Sequence, residues 1–395
     1  MQATTKPVSR QPGHWSRCLS STLVVMFMTA LAAVADAASA QPPAGYRIVP
    51  LSTAQGVYGI DINARGQVAF TEIVDDLRRR ARFYDGSTVR DIGSLGGGSA
   101  TAVGVNNLGQ VTGSATLNPA GAFSHAYRWS VQTGMVDLSG PLRGQSGGYA
   151  INNRGEVTGG AVFAPAKSGN WHTFIWRPQT GLADIGTLDL SAYGQVINDA
   201  GMVAGLTGGD SLQVFRWTPQ GGMQAITRYY NEFNIASDIN AAGHVVGATS
   251  FGNPAVPAHA FLWTPREGLV DLGAGIPYRT LAEKINDHDM VILNVRDFVD
   301  LPHGFIWTPE NGLTEIGAGR PDIATSVLGL NNLGQVVGGF NGRAYLWTRA
   351  QGVVDLNSLL VGAPEGLVLY AGQAISDDGS IVARASTGLV LLKPR

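Results

Sequence analysis

Between residues 46 and 393, apolar and polar positions alternate over short runs that are cut by Asn, Gly and Pro. Period-two alternation with such punctuation predicts half-buried β-strands joined by tight turns. One run recurs almost word for word: "VNNLGQVTGSA" at 105–115, "INNRGEVTGGA" at 151–161 and "LNNLGQVVGGF" at 330–340. Its first fixed Asn recurs as Asn63, Asn106, Asn152, Asn198, Asn240, Asn286 and Asn331, with Ser376 in an eighth copy. The spacings lie between 42 and 46 residues, the range of propeller blades with four strands each.

Each copy contains a hairpin, an aromatic strand and a short closing strand. Three residues after the Asn or Ser stands Gly66, Gly109, Gly155, Gly201, Gly243, Gly334 or Gly379, with Asp289 in copy six. The side chain of Asn or Ser closes the turn on nearby backbone. Gly then supplies φ > 0, and Asp tolerates that conformation better than most residues. The aromatic phrase reads "HAYRW" at 125–129, "HTFIW" at 172–176, "QVFRW" at 213–217, "HAFLW" at 259–263, "HGFIW" at 303–307 and "RAYLW" at 343–347. Phrases such as "GMVDLS" and "GLVDLG" follow. We name the four strands a (before the Asn), b, c (aromatic) and d. The sequence predicts an all-β, eight-bladed propeller of four-stranded antiparallel blades, with residues 41–395 as one domain. A seven-bladed ring would leave copy one or copy eight outside.

These phrases resemble the HAF-type extracellular repeat family, over about residues 46–393. Copies one, four and eight depart most in the aromatic phrase. The family's members are exported and largely without assigned function, so the resemblance implies architecture and export but no activity.

Loop lengths divide the two faces of the ring. The a–b turn never changes length, and the c–d turn hardly does. The b–c connection runs from 12 to 21 residues, counted from the turn Gly to the end of strand c. Antiparallel neighbours reverse direction, so the rigid a–b and c–d turns share one face and the b–c and d–a connections the other. Repeat proteins often carry their insertions on the binding face. The ligand-binding candidates there are Trp171, Tyr229, Tyr230, Phe233 and Phe251, with Arg79, Asp76 and Asp297 as charged members. Exposed aromatics stack on sugars or grip peptides, although local packing under long loops is the simpler role.

Other repeated residues have plain structural explanations. His125, His172, His259 and His303 share one repeat position, but separate blades hold them beyond metal-ligand reach, so each is expected to satisfy local backbone groups. The strand-c Trp residues are expected to pack between blades. The repeated acids Asp91, Asp137, Asp184, Asp271, Glu315 and Asp355 lack the clustered oxygens of a calcium loop. No metal and no cofactor is expected. No nucleophile-elbow, zinc-protease or phosphate-loop motif occurs. The leading expectation is a non-enzymatic binding module for a carbohydrate or protein ligand. A polysaccharide-acting hydrolase or lyase, with a carboxylate pair such as Asp76 and Asp297, is the alternative.

Charge and the N-terminus narrow the setting. The formal charge is −2, without the basic excess of a nucleic-acid binder. Lys6, Arg10 and Arg17 precede the apolar run "LVVMFMTALAAV" at 23–34, and "ASA" at 38–40 follows. This is the pattern of a secretory signal peptide over residues 1–40, too short to be a membrane span. The expected setting is secreted or periplasmic, as a monomer with no membrane insertion after cleavage. Cys18 is the only cysteine, so the processed chain would rely on core packing alone.

The chain's ends predict how the ring closes. "YRIVPL" at 46–51 stands in the d position ahead of copy one, and copy eight ends with its strand c. The N-terminal strand is therefore expected to complete the last blade beside residues 388–393, which removes an unpaired edge. The alternative is that it forms the innermost strand of its own blade.

Exported protein should begin at Gln41; N-terminal sequencing that finds a start upstream of residue 30 would contradict the signal-peptide assignment.

Overall fold

The alternating segments form eight four-stranded antiparallel sheets, each a blade of a closed β-propeller. This computed structural model describes residues 43–395, except 120, 122, 141, 143, 164–168, 210–211, 228–232, 252–256, 297–301 and 318–322. Strand a of each blade lies innermost, against strand a of both neighbouring blades. Blade 2 is typical, with strands Ala100–Val105, Val111–Thr116, Ser124–Ser130 and Gly134–Asp137 in spatial order from the axis outward.

Blade 8 contains strands from both ends of the sequence. Its strands a, b and c are Leu369–Ile375, Ile381–Ala385 and Gly388–Pro394. Its outer strand is Tyr46–Ser52, paired antiparallel with strand c from Tyr46↔Pro394 to Ser52↔Leu389. The N-terminal strand therefore closes the ring from the outer edge, as its sequence position predicted. Tyr46 anchors it: the ring is fully buried, its hydroxyl donates to the Gly379 carbonyl at 3.2 Å, and its carbonyl accepts from the Val361 amide at 3.0 Å.

The repeated turn has the predicted backbone. Every turn Gly has positive φ, for example +69° at Gly334, and Asp289 adopts +59° in its place. The Asn does more than close its own turn. Asn331 Oδ1 accepts the amides of Leu333 and Gln335 at 3.1 and 2.9 Å, and Nδ2 donates to the Ser376 carbonyl of the next blade at 3.0 Å. The same inter-blade bond runs from Asn63 to Asn106, Asn106 to Asn152, Asn152 to Asn198, Asn198 to Asn240, Asn240 to Asn286 and Asn286 to Asn331. All seven asparagines are buried. Around the inner rim they form a belt of side-chain amides, each blade holding the next.

A second tier lies one residue on. The Asn107 amide donates to Asn153 Oδ1 and the Asn153 amide to Asp199 Oδ1, both at 2.8 Å; Ala241 to Asp287, Asp287 to Asn332 and Asn332 to Asp377 repeat the contact. Ser376 is too short to reach blade 1, and among the described residues its hydroxyl bonds only to Asp378 and Ser380. At that seam Arg384 Nη2 donates to the Val57 carbonyl at 2.6 Å, above an apolar cluster that includes Val57, Phe70, Val382 and Leu391.

Packing explains the glycine in strand b. In five blades it faces a buried aromatic of strand c, as Gly113 faces Tyr127 and Gly247 faces Phe261. A Cβ on Gly113 or Gly247 would come within 1.8 Å of a strand-a carbonyl oxygen, so no side chain fits. Blade 1 exchanges the two positions, with Phe70 in strand b opposite Arg82 in strand c. That exchange accounts for the departure of "RARFY" from the aromatic phrase.

Asn331→Ala and Gly334→Val should each lower stability by about 1–3 kcal/mol, the first by leaving buried amides unpaired and the second by strain at positive φ. A chemical melt in which Gly334→Val is neutral would contradict the turn. Tyr46→Ala should cost about 3–5 kcal/mol as in other buried aromatic deletions, and should lower a single cooperative transition. A separate early transition confined to the chain ends would show that the clasp does not hold the ring.

Candidate functional site

The two faces differ in chemistry as well as in loop length. Among the described residues, sixteen large apolar side chains are exposed. Twelve of them, including Ile73, Leu77, Phe123, Leu190, Phe233 and Tyr370, lie at strand ends or connections on the b–c/d–a face. Only Leu108, Val131 and Leu333 lie on the rigid turns, and Tyr149 lies within strand a of blade 3.

The rigid face holds a funnel of about 370 Å³ at the mouth of the axis, lined by the Asn belt and by Asp199, Asp287 and Asp377. Deeper in, Asp61 and Asp238 each accept an amide from the next blade, Val105 at 2.8 Å and Ile285 at 3.2 Å. Burial pushes the Asp61 carboxyl up, against the lowering effect of the Val105 amide and Lys284. The Asp238 carboxylate raises Lys284, against the effect of burial. The polar groups of this funnel are largely engaged with one another, and their work is to hold blades together.

The sequence candidates on the variable face are spread over several blades. Trp171 is half-buried, packed against Tyr193 of blade 4 with ring centroids 5.6 Å apart. Gly160 makes room for both rings, since a Cβ there would come within 2.9 Å of each. Phe233 is 36% exposed and carries the Arg279 guanidinium 4.4 Å from its ring centre. Phe251 packs beside the apolar core of blades 4 and 5 at φ +51°, so it supports its loop rather than offering a surface. Tyr229, Tyr230 and Asp297 lie outside the described residues, which leaves the Asp76–Asp297 pair without a structural description.

Asp76 and Arg79 come together at the tip of the b–c hairpin of blade 1. Leu77, 88% exposed, stands between them in the chain. Beside this tip lies a pocket of about 240 Å³ that includes Arg78, Arg79, Arg80 and Asp91. Arg78 Nε pairs with Asp75 at 2.6 Å and Arg80 Nε with Asp91 at 3.1 Å. The Arg78 side chain and backbone amide hold the Asp75 carboxyl below its usual range. Beneath them Arg82 bonds the buried Glu72 at 2.8 Å, and Glu72 accepts the hydroxyl of Ser52 in the clasp strand at 2.6 Å.

The repeated histidines and acids turn out to be partners. Nδ1 of His125, His172, His259 and His303 lies 2.7–3.0 Å from Asp137, Asp184, Asp271 and Glu315, across the c–d hairpin. Arg343–Asp355 and Arg80–Asp91 repeat the pairing. This corrects the expectation that local backbone groups satisfy these imidazoles, although His125 Nε2 also lies 3.1 Å from the Gly144 carbonyl. The signal was present in the sequence as a constant twelve-residue step from His to acid. Among the described residues no three His, Cys, Asp or Glu side chains converge as metal ligands. Strand-c tryptophans pack between blades: Trp129 lies 5.2 Å from Phe83, and the Arg128 guanidinium lies 4.6 Å over Trp176.

No protein-family model and no curated protein matches this chain. Solved structures similar to it include the β-propeller domain of the Trilobed protease from Pyrococcus furiosus, at 10% identity over 81% of this chain and 100% of that one, TM-score 0.47. A puromycin-hydrolyzing peptidase of Mycobacterium tuberculosis is similar at 10% identity over 86% and 63%, TM-score 0.49. TolB from Acinetobacter baumannii is similar at 13% identity over 65% and 64%, TM-score 0.36. The chain spans 47% of a prolyl endopeptidase that it also resembles, at 11% identity over 74% of this chain and TM-score 0.47. Likenesses this remote accompany the fold and carry no activity with them.

Proposed function

We propose that this chain is an exported binding module of the HAF repeat type, and that it engages a glycan or protein ligand through its b–c/d–a face. The observation that carries this reading is the asymmetry of exposed apolar side chains, twelve of sixteen on that face. Connecting loops held on a rigid scaffold are where binding residues concentrate. The opposite face is built from uniform turns whose side chains are committed to neighbouring blades. The N-terminal signal pattern supports action outside the cytoplasm.

Binding is favoured over catalysis by the state of the charged groups. In the blade 1 pocket Asp91 is shared between Arg80 and the Gly93 amide, and arginine does not give up its proton in proteins. Exposed Phe233, Tyr370 and Leu77 have the character of contact residues.

A glycan and peptide array probed with residues 41–395 tests this reading. Phe233→Ala with Tyr370→Ala should weaken the captured ligand about tenfold, or about 1.4 kcal/mol, with an unchanged melting temperature. Capture that is insensitive to these changes and to Leu77→Asp, yet lost on substituting turn residues such as Leu108 and Leu333, would move the site to the other face.

A further inference from the structure

Three consecutive arginines lead into strand c of blade 1, Arg79–Tyr84, and their pairing is unequal. Arg78 and Arg80 each have a carboxylate partner, Asp75 and Asp91. Arg79 has no carboxylate partner among the described residues. Its Nη1 alone is engaged, donating to the carbonyls of Asp75 at 2.7 Å, Arg78 at 3.2 Å and Asp76 at 3.5 Å. Its backbone amide is fixed on Ser99 Oγ at 3.0 Å. The Nε and Nη2 edge makes no hydrogen bond to a described residue. A guanidinium held along one side by carbonyls, with that edge free, presents the two parallel N–H groups that grip a carboxylate in a fork.

The wall facing these arginines is polar and has little side-chain bulk. The d–a connection "GSLGGGS" at 93–99 brings Gly93, Ser94 and Gly98 to the pocket. Ser94 Oγ accepts the Gly98 amide at 2.9 Å and the Gly96 amide at 3.4 Å, which leaves its O–H free to donate. At about 240 Å³ the pocket is below the usual size for a drug-like ligand and suits one small polar unit. The pocket therefore offers a carboxylate fork beside a hydroxyl donor, with the Gly93 and Gly98 amides already engaged by Asp91 and Ser94.

We propose that this pocket is a carboxylate subsite, taking a uronic-acid unit of an acidic glycan with its carboxylate on the Nε–Nη2 edge of Arg79. A sugar acid is favoured over a peptide carboxylate because the pocket is lined mainly by charged groups, a hydroxyl and glycine backbone, with Val74 and Ala100 its only apolar side chains. The subsite rests on the reading that the b–c/d–a face binds ligand, and it specifies that ligand's charge. The Glu72–Arg82 pair beneath, tied to Ser52 of the clasp strand, stiffens the strand that carries Arg79.

The test uses calorimetry on residues 41–395 with oligogalacturonate, its methyl ester and oligoglutamate of matched length. The proposal expects oligogalacturonate to bind, and the methyl ester and oligoglutamate to bind at least tenfold more weakly. Arg79→Gln should reduce oligogalacturonate binding at least tenfold at unchanged melting temperature. Arg79→Lys, which keeps the charge but loses the fork, should fail to restore it. Equal binding of the methyl ester overturns the carboxylate assignment, and equal binding of oligoglutamate overturns the sugar. No binding of oligogalacturonate, or indifference to Arg79→Gln, overturns the subsite. The wider reading fails separately, when array ligands are unaffected by Phe233→Ala with Tyr370→Ala and by Leu77→Asp but are lost on substituting Leu108 and Leu333.

Discussion

The buried asparagine at the inner end of seven of the eight blades is the contact on which the ring depends. Its oxygen closes its own hairpin by accepting two amides, and its nitrogen leaves the blade to hold the next one. Each bond alone contributes about 1 kcal/mol. The geometry matters more, because the side chain is used up on both sides at once. No blade can shift along or about the axis without leaving a buried amide group unpaired, and that cost exceeds the value of the bond. The ring is thus defined from its centre outward, with the apolar clusters between blades filling what the belt has positioned.

Two departures from the belt show how the chain meets the same requirement by other means. At the seam between blades 8 and 1 Ser376 cannot reach across, and closure passes to the Arg384–Val57 bond, the apolar seam cluster and the clasp strand. In blade 5, His244 stands where blades 1, 2 and 7 have Gln, and Asp289 of blade 6 accepts from Asn240 Nδ2 at 2.8 Å while lying 2.7 Å from His244 Nδ1. A face so committed to internal contacts tolerates little variation. The opposite face carries none of these contacts, so its connections are free to lengthen, to expose aromatic and aliphatic side chains, and to gather the arginines of blade 1.

Local chemistry made much of this legible in advance. The period near 45 residues, the Asn-x-x-Gly turn and the surplus strand at residue 46 gave the blade count and the closure, because each is written in contiguous sequence or in a count of strands. The inter-blade role of Asn was not legible in the same way. Asn and Ser both read as turn formers, and the acceptor lies one whole repeat away. One hint was a polar residue after the Asn or Ser in six copies, among them Asn107, Asp199 and Asp377, which a turn alone does not require. Trp171 and Phe251 were chosen by type and loop position. Their half-buried packing follows from Gly160 and from the core of blades 4 and 5, neighbours that sequence spacing does not reveal.

Native-state hydrogen exchange of the amides that bond to the asparagine oxygens tests the belt most directly. Those of Gln67, Gln110, Glu156, Met202, His244, Met290 and Gln335 report seven blades. If the belt defines the ring, all seven exchange with one common free energy, that of global unfolding, while amides at the blade 1 hairpin tip exchange by local opening. Exchange of these amides blade by blade, each with its own lower free energy, would contradict a ring held as one unit by its asparagines.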